Sequence, residues 1–185
     1  MKICFVSSNA GKIEEVSKHL KSFGIEVEGK ILDMPEISSD SQEEVAKEKA
    51  RHAAKVVGRP VIAEDTGVYF ETYKNFPGTH PKFIFETIGY EGILKLLKGK
   101  SRKAFFKTIV SFCRPDEEPL VFVGICKGAI TKKVIGESHP RLPYDSVFIP
   151  DGEKRVFAEM TKEEKAKYSH RAKAVEAFAK WFAKN

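Results

Sequence analysis

Residues 2–32 read KICFVSSNAGKIEEVSKHLKSFGIEVEGKIL, and the hydrophobic period changes twice along them. Lys2 to Val6 form a short, mostly apolar run that reads as a buried strand. Beyond Ser7-Ser8-Asn9-Ala10-Gly11-Lys12 the spacing becomes helical, with Ile13, Val16, Leu20 and Phe23 on one face and Gly24 as the stop. Residues 25–32 read as a second strand.

The same alternation continues outward. Ser41 followed by Glu44 is a capping-box signal for a helix carrying Val45, Ala46, Ala50, Ala53, Ala54 and Val57, ended by Gly58. Pro60 leads into VIAED, and TGVYFE stays extended. Residues 74–82 read as a loop, followed by two short helices split near Gly89. Residues 103–113 alternate through Ala104, Phe106, Thr108, Val110 and Phe112, and 119–130 pair with them as a hairpin across RPDEE. Residues 136–145 form another loop. Thr161 and Glu164 make a second capping box. Ser169 then caps a last helix with Ala172, Val175, Phe178, Ala179 and Phe182 inward. The expected fold is α/β, a central mixed, twisted β-sheet flanked by helices, in one domain over residues 1–185. Polar motifs come from both halves, which fits two lobes with a cleft between them.

The bulk composition narrows the class. Hydrophobic residues make up 42% and charged residues 31% of 185, as in an ordinary globular protein. No apolar run approaches the roughly 20 residues of a membrane helix. The opening residues carry one lysine and run straight into a strand pattern, so a secretory leader is not expected. Cys4, Cys113 and Cys126 are widely spaced and odd in number, neither a disulfide framework nor a zinc pattern. They read as small core residues in a reducing cytoplasm. The net charge of +6 is carried by scattered lysines rather than a dense basic run.

Three groups of residues carry chemistry. Ser7 to Lys12 lie between a strand and a helix, where unpaired N–H groups and the helix dipole favour anions. Gly11 permits close backbone approach and Lys12 adds a charge, although the run lacks the Walker A pattern. A capped turn with Asn9 as N-cap explains the run equally well. Second, Glu36 follows Met34-Pro35, and Glu64-Asp65 leave an apolar strand before Thr66-Gly67. Acids beyond strand ends sit where α/β folds place ligands. Mg²⁺ takes one or two carboxylates and completes its shell with water and phosphate. Third, Ser169-His170-Arg171 open the last helix. These, like Tyr144-Asp145, Lys49 and Lys165, are unremarkable when taken singly.

Taken together, their order resembles the inosine triphosphate pyrophosphatase family. The resemblance runs through Ser7 to Lys12, Pro35-Glu36, Lys49-Ala50, Glu64 to Gly67, Pro77-Gly78, Tyr144-Asp145, and Ala158-Glu159-Met160 to Ser169-His170-Arg171. It implies a two-lobed fold, usually a homodimer, that hydrolyses ITP, dITP and XTP to the monophosphate and pyrophosphate. By the same resemblance, Ser7, Ser8, Asn9, Gly11, Lys12, Lys49 and Thr66 hold the triphosphate. Glu36 and Asp65 ligate Mg²⁺, and Asp65 is the base for the attacking water. Tyr144, Asp145, Lys165, His170 and Arg171 surround base and sugar. If His170 and Arg171 donate to the 6-oxygen, the amino group of adenine in its place leaves those donors facing another donor, so ATP is expected to be rejected. Lys12, Glu36 and Asp65 are expected to meet around one cation. Two positions depart from the family pattern. Leu142 stands where a base-stacking phenylalanine is usual, and the loop after Pro77-Gly78 reads Thr79-His80-Pro81-Lys82-Phe83, with Lys82 the residue carried over. A basic nucleic-acid-binding module is the rival reading, and a pyrophosphatase for other modified nucleotides is another. Most of the 14 phenylalanines fall on inward positions, which argues against a nucleic-acid surface and any stable nucleic-acid partner.

Overall fold

The computed structural model describes residues 1–34, 37, 39, 41–74, 76–137 and 142–185. The first half of the chain holds β1 (Lys2–Val6), α1 (Ala10–Lys21), β2 (Glu26–Lys30), α2 (Gln42–Val57), β3 (Val61–Phe70), β4 (Phe76–Gly78) and α3 (Pro81–Leu96). The second half holds β5 (Lys103–Cys113), β6 (Leu120–Ile130), β7 (Phe148–Pro150), α4 (Lys162–Tyr168) and α5 (His170–Phe182). The strands form one mixed sheet in the order β2-β1-β3-β5-β6-β7, with β4 paired to β3. β1 is parallel to β2 and to β3, while β3–β4 and β6–β7 are antiparallel.

Local chemistry explains most boundaries. Asn9 caps α1, its Oδ1 accepting from the N–H of Gly11 at 2.9 Å and of Lys12 at 3.3 Å. Ser41 Oγ accepts from the Glu44 N–H, but the Glu44 carboxylate accepts from the Ser39 hydroxyl at 2.6 Å, so the return arm of that capping box goes elsewhere. At Thr161 and Glu164 both arms form, at 3.2 and 2.9 Å. Gly58 closes α2 with φ 72°, the left-handed conformation that glycine adopts without strain. α3 breaks at Gly89, as expected, with φ 59° and ψ −166°. The loop expected over 74–82 instead contains β4, which sets Phe76 opposite Phe70. Three residues are too few for a hydrophobic period to register.

Two compact units share the chain. The first comprises residues 1–66, 108–124 and 170–185, the second residues 67–107 and 125–169. Within the first, α1 and α5 cover one face of the strands over Ile3, Phe5, Ile62, Val110 and Phe112. The alternate residues Cys4, Val6, Val61, Ala63 and Cys113 pack with Ala50, Ala53 and Ala54 of α2. The two sets interleave because side chains alternate along a strand. The second unit is built on aromatics: Phe106 meets Phe148 edge-on at 4.7 Å, and Phe70, Phe157, Ile93 and Leu97 complete its core. The three cysteines are free and buried, as expected. Among the described residues no helix is long and apolar enough to cross a membrane.

Gly124 marks the tightest approach between β6 and α5. A Cβ there would lie 2.0 Å from the His170 carbonyl oxygen and 2.6 Å from the Ala174 nitrogen, both backbone atoms. Gly124→Ala is expected to cost about 1–3 kcal/mol, the usual scale of overpacking, read from urea denaturation midpoints. A midpoint equal to wild type would show that the helix start is not held that closely.

Candidate active site

The parallel register pairs Cys4 with Val61 and Phe5 with Ile62, so Glu64 and Asp65 lie beyond the last residue of β1. That is where α/β sheets place ligands. Both residues are buried, at 6% and 5% exposure, and alternation along β3 sends their side chains to opposite faces.

Glu64 faces α1 and α5. Its Oε2 accepts from Arg171 Nε at 3.1 Å. Its Oε1 lies 2.5 Å from Lys12 Nζ, an ion pair. Arg171 Nη1 also bonds Glu15. Burial pushes the Glu64 carboxyl up, but Arg171 and Lys12 more than offset this and hold it well below the usual carboxylate range. Burial likewise disfavours the Arg171 cation, and Glu64 and Glu15 reverse that, leaving it raised.

The same side carries a line of hydroxyls. Thr66 Oγ1 donates to Glu64 Oε2 at 3.1 Å, and Thr108 Oγ1 lies 2.6 Å from both Thr66 Oγ1 and His170 Nδ1. Ser169, between α4 and α5, is buried at φ −56° and ψ 127°.

Asp65 faces α2. Its Oδ1 accepts from Lys49 Nζ at 2.7 Å, and Gln42 Nε2 donates to its backbone carbonyl at 3.2 Å. Oδ2 is buried and has no hydrogen-bond partner among the described residues. An unsatisfied buried carboxylate oxygen is a place a cation fits. Among the described residues no three His, Cys, Asp or Glu side chains cluster for a metal. An ion that takes one or two protein carboxylates and otherwise binds water and phosphate suits such a site better than one caged by protein.

Of the residues expected from sequence, the structure therefore gathers Asn9, Gly11, Lys12, Lys49, Asp65, Thr66, His170 and Arg171 in the first unit, with Ser7 donated to by the Asn9 N–H at 3.2 Å and Ser8 exposed. Lys12 is paired with Glu64 rather than with Asp65. Glu36 lies outside the described residues. In the second unit Lys165 Nζ bonds Asp145 Oδ2 at 2.6 Å and sits 5.4 Å above the Phe157 ring. The Tyr144 hydroxyl donates to the Pro81 carbonyl at 3.0 Å, and burial raises its pKa. Leu142 precedes the 3₁₀ turn Pro143–Ser146, and Lys82 is exposed beside Glu86. Sequence reading missed Glu64 as the hub, Glu15 and Thr108. Thr108 was visible as the one hydroxyl among the inward positions of an otherwise apolar strand face.

The arrangement defines an α/β protein with buried carboxylate–cation pairs beyond the end of a parallel strand. The chain belongs to the Ham1 family, which it matches over residues 3–181. It is 47% identical to a dITP/XTP pyrophosphatase of Methanopyrus kandleri, over 100% of this chain and 98% of the relative. It is 42% identical to a dITP/XTP pyrophosphatase of Thermococcus kodakarensis, over 100% and 99%. The solved structure of a HAM1 protein from Coxiella burnetii superposes with TM-score 0.83 at 26% identity, covering 100% of both chains.

The Glu64 cluster makes stability pH-dependent. A carboxyl held below its unfolded value stabilises fully above about pH 4.3 and loses that contribution as pH falls. Wild-type stability is expected to drop below that point with a slope of up to about 1.4 kcal/mol per pH unit from this group. Glu64→Gln should be less stable at pH 7 and show a shallower acid limb. Parallel acid limbs in urea titrations of the two proteins would remove Glu64 from the account.

Proposed function

We propose that this chain hydrolyses non-standard purine nucleoside triphosphates, ITP, dITP and XTP, to the monophosphate and pyrophosphate. Support comes first from the full-length likeness to proteins named dITP/XTP pyrophosphatase. Within the molecule, the observation that carries the reading is Asp65, buried, fixed by Lys49 and left with one oxygen unpartnered among the described residues.

In this reading the turn Ser7 to Lys12 and Lys49 receive the phosphates. An ammonium has three N–H donors, more than one carboxylate oxygen uses, so Lys12 and Lys49 can hold their acids and still meet phosphate oxygens. Asp65, with Glu36, would hold a divalent cation, which we take to be Mg²⁺. When bound, that ion neutralises phosphate charge and orients the reacting groups. Lys49 on Oδ1 fixes the orientation of the Asp65 carboxylate. Asp65 is then the base that takes a proton from water attacking the α-phosphorus, and pyrophosphate leaves. Lys165 and Asp145, an ion pair 89% and 85% shielded at the side chain, serve recognition of the nucleoside. Tyr144 anchors the turn that carries Asp145. We place the enzyme in the cytoplasm as a homodimer.

Asp65→Asn is the decisive variant. It should keep the wild-type thermal midpoint within a few degrees and lose at least about 100-fold in kcat, the scale for removing a general base. Pyrophosphate release from ITP, XTP, dITP, GTP and ATP, with and without Mg²⁺, checks the substrate class. Turnover near wild type in Asp65→Asn, or equal hydrolysis of ATP and ITP, would sink the reading.

A further inference from the structure

We propose that the end of α3, its connection to β5 and the turn after β6 form a cationic surface that binds the phosphate backbone of duplex nucleic acid without reading its bases. The lysines that read as scattered along the sequence are not scattered in charge balance. Residues 92–136 hold ten lysines and arginines against three acids, a balance of +7 beside +6 for the whole chain. The rest of the chain therefore carries no excess of positive charge. The three acids, Asp116, Glu117 and Glu118, lie in the turn between β5 and β6, where Glu117 pairs with Arg114 and Glu118 with Arg51. The other ends of the two strands carry cations alone: Lys95, Lys98, Lys100, Arg102 and Lys103 on one segment, Lys132 and Lys133 on the other.

Arg102 holds these two segments together. Its Nε donates to the Ile130 carbonyl at 2.8 Å, Nη1 to the Leu97 carbonyl at 3.0 Å, and Nη2 to the Thr131 carbonyl. The Ile130 N–H donates back to the Arg102 carbonyl at 2.9 Å. The guanidinium thus meets three carbonyls and no carboxylate, so it joins the segments without neutralising them. Thr131 Oγ1 donates to the Lys133 carbonyl at 2.6 Å, which tightens the turn carrying Lys132 and Lys133. Lys95, Lys98, Lys100, Lys103, Lys132 and Lys133 are all exposed. None of the six is ion-paired among the described residues, and the flanking acids Glu91 and Glu137 pair with none of them. All of this lies within the second unit.

The chemistry of the surface selects among polyanions. Protein interfaces are depleted of lysine, whose long side chain is costly to order. A helix or loop that settles on a bilayer brings apolar side chains beside its charges. Within residues 92–103 and 129–136, Val134 alone is an exposed large hydrophobic. Tyr73 has Lys100 Nζ 5.1 Å over its ring, so that face is closed to a base. Inward phenylalanines exclude base stacking but leave backbone contacts open. Lysines meet phosphates as point charges. Each phosphate neutralised releases condensed counterions, and a duplex carries the denser charge. The proposed hydrolysis of nucleotides is not needed for any step of this.

Fluorescence anisotropy of a short labelled duplex of mixed sequence, titrated with the full-length protein between about 50 and 200 mM KCl, tests the proposal. With about four to six phosphates neutralised, log affinity should fall against log salt with a slope of about −4 to −5. The combined variant Lys98→Glu, Lys132→Glu, Lys133→Glu should bind about tenfold more weakly or worse and flatten the slope by about 3. A control, Lys21→Glu, Lys55→Glu, Lys184→Glu, removes the same net charge from exposed positions of the first unit and should stay within about threefold of wild type. Should the first variant fail to fold by its thermal midpoint, Lys132→Ala with Lys133→Ala should flatten the slope by about 2. No wild-type binding at about 100 mM KCl, an equal loss in both triple variants, or affinity that changes with duplex sequence overturns the proposal. Tighter binding to the separated single strands, or to vesicles of phosphatidylcholine and phosphatidylserine, overturns it as well.

Discussion

Glu64 cannot be buried alone. Its side chain is wholly removed from solvent, and an unpaired carboxylate in that setting is too costly to persist. Two cations meet it, and they come from opposite ends of the chain: Lys12 from the first strand–helix turn and Arg171 from the start of the last helix, 107 positions beyond Glu64. Arg171 is itself buried and brings in Glu15 from α1. Removing any one member leaves a buried charge exposed to the full desolvation cost, whereas the intact set adds little net stability. Its effect is on geometry. It binds α1 and α5 to β3 and fixes where the first turn of each helix begins.

The neighbouring residue shows what the same chemistry does when left incomplete. Asp65 points to the other face, has one cation on one oxygen, and keeps the second oxygen unpartnered among the described residues. One dipeptide thus supplies a carboxylate with a cation on each oxygen and one with a cation on a single oxygen. The division follows from the two-residue period of a strand, which no substitution on the helices can alter. Two buried acids can therefore be adjacent without competing for the same cations.

Much of this was legible in the sequence. The helix faces of Val16 and Leu20, and of Ala50, Ala53 and Ala54, were readable because burial imposes a period over several turns. The Asn9, Ser41 and Thr161 caps were readable because capping is a local bond. β4 was not, since three residues carry no period. The site was legible as a set of residue types and not as a set of pairs. Glu64 and Asp65 read as a unit because they are adjacent, although strand alternation already implied that they face apart. Glu15 carries no local mark, because its partner lies 156 positions away and only the folded chain selects it among many surface glutamates. The polar interruption at Thr108 was present in the pattern, but its meaning needed Thr66 and His170 beside it.

The ion pairs also bear on how a polyphosphate would be held. The chain has an excess of positive charge overall, yet the described cluster of the first unit has none to spare. Lys12, Lys49 and Arg171 are matched by Glu15, Glu64 and Asp65, three cations against three carboxylates. A triphosphate arriving there finds directional donors but a locally neutral field, and a further acid at Glu36 would make that field negative. Lysines already paired to protein carboxylates attract an anion less than isolated ones do, because the pair is nearly a dipole beyond a few ångströms. The charge that offsets the phosphates must then come with the substrate or beside it, as a cation for which the open oxygen of Asp65 is the natural seat. Under the proposed function, binding and chemistry would be linked to the same ion. Surface lysines, however numerous, act from too far through screening solvent to replace it.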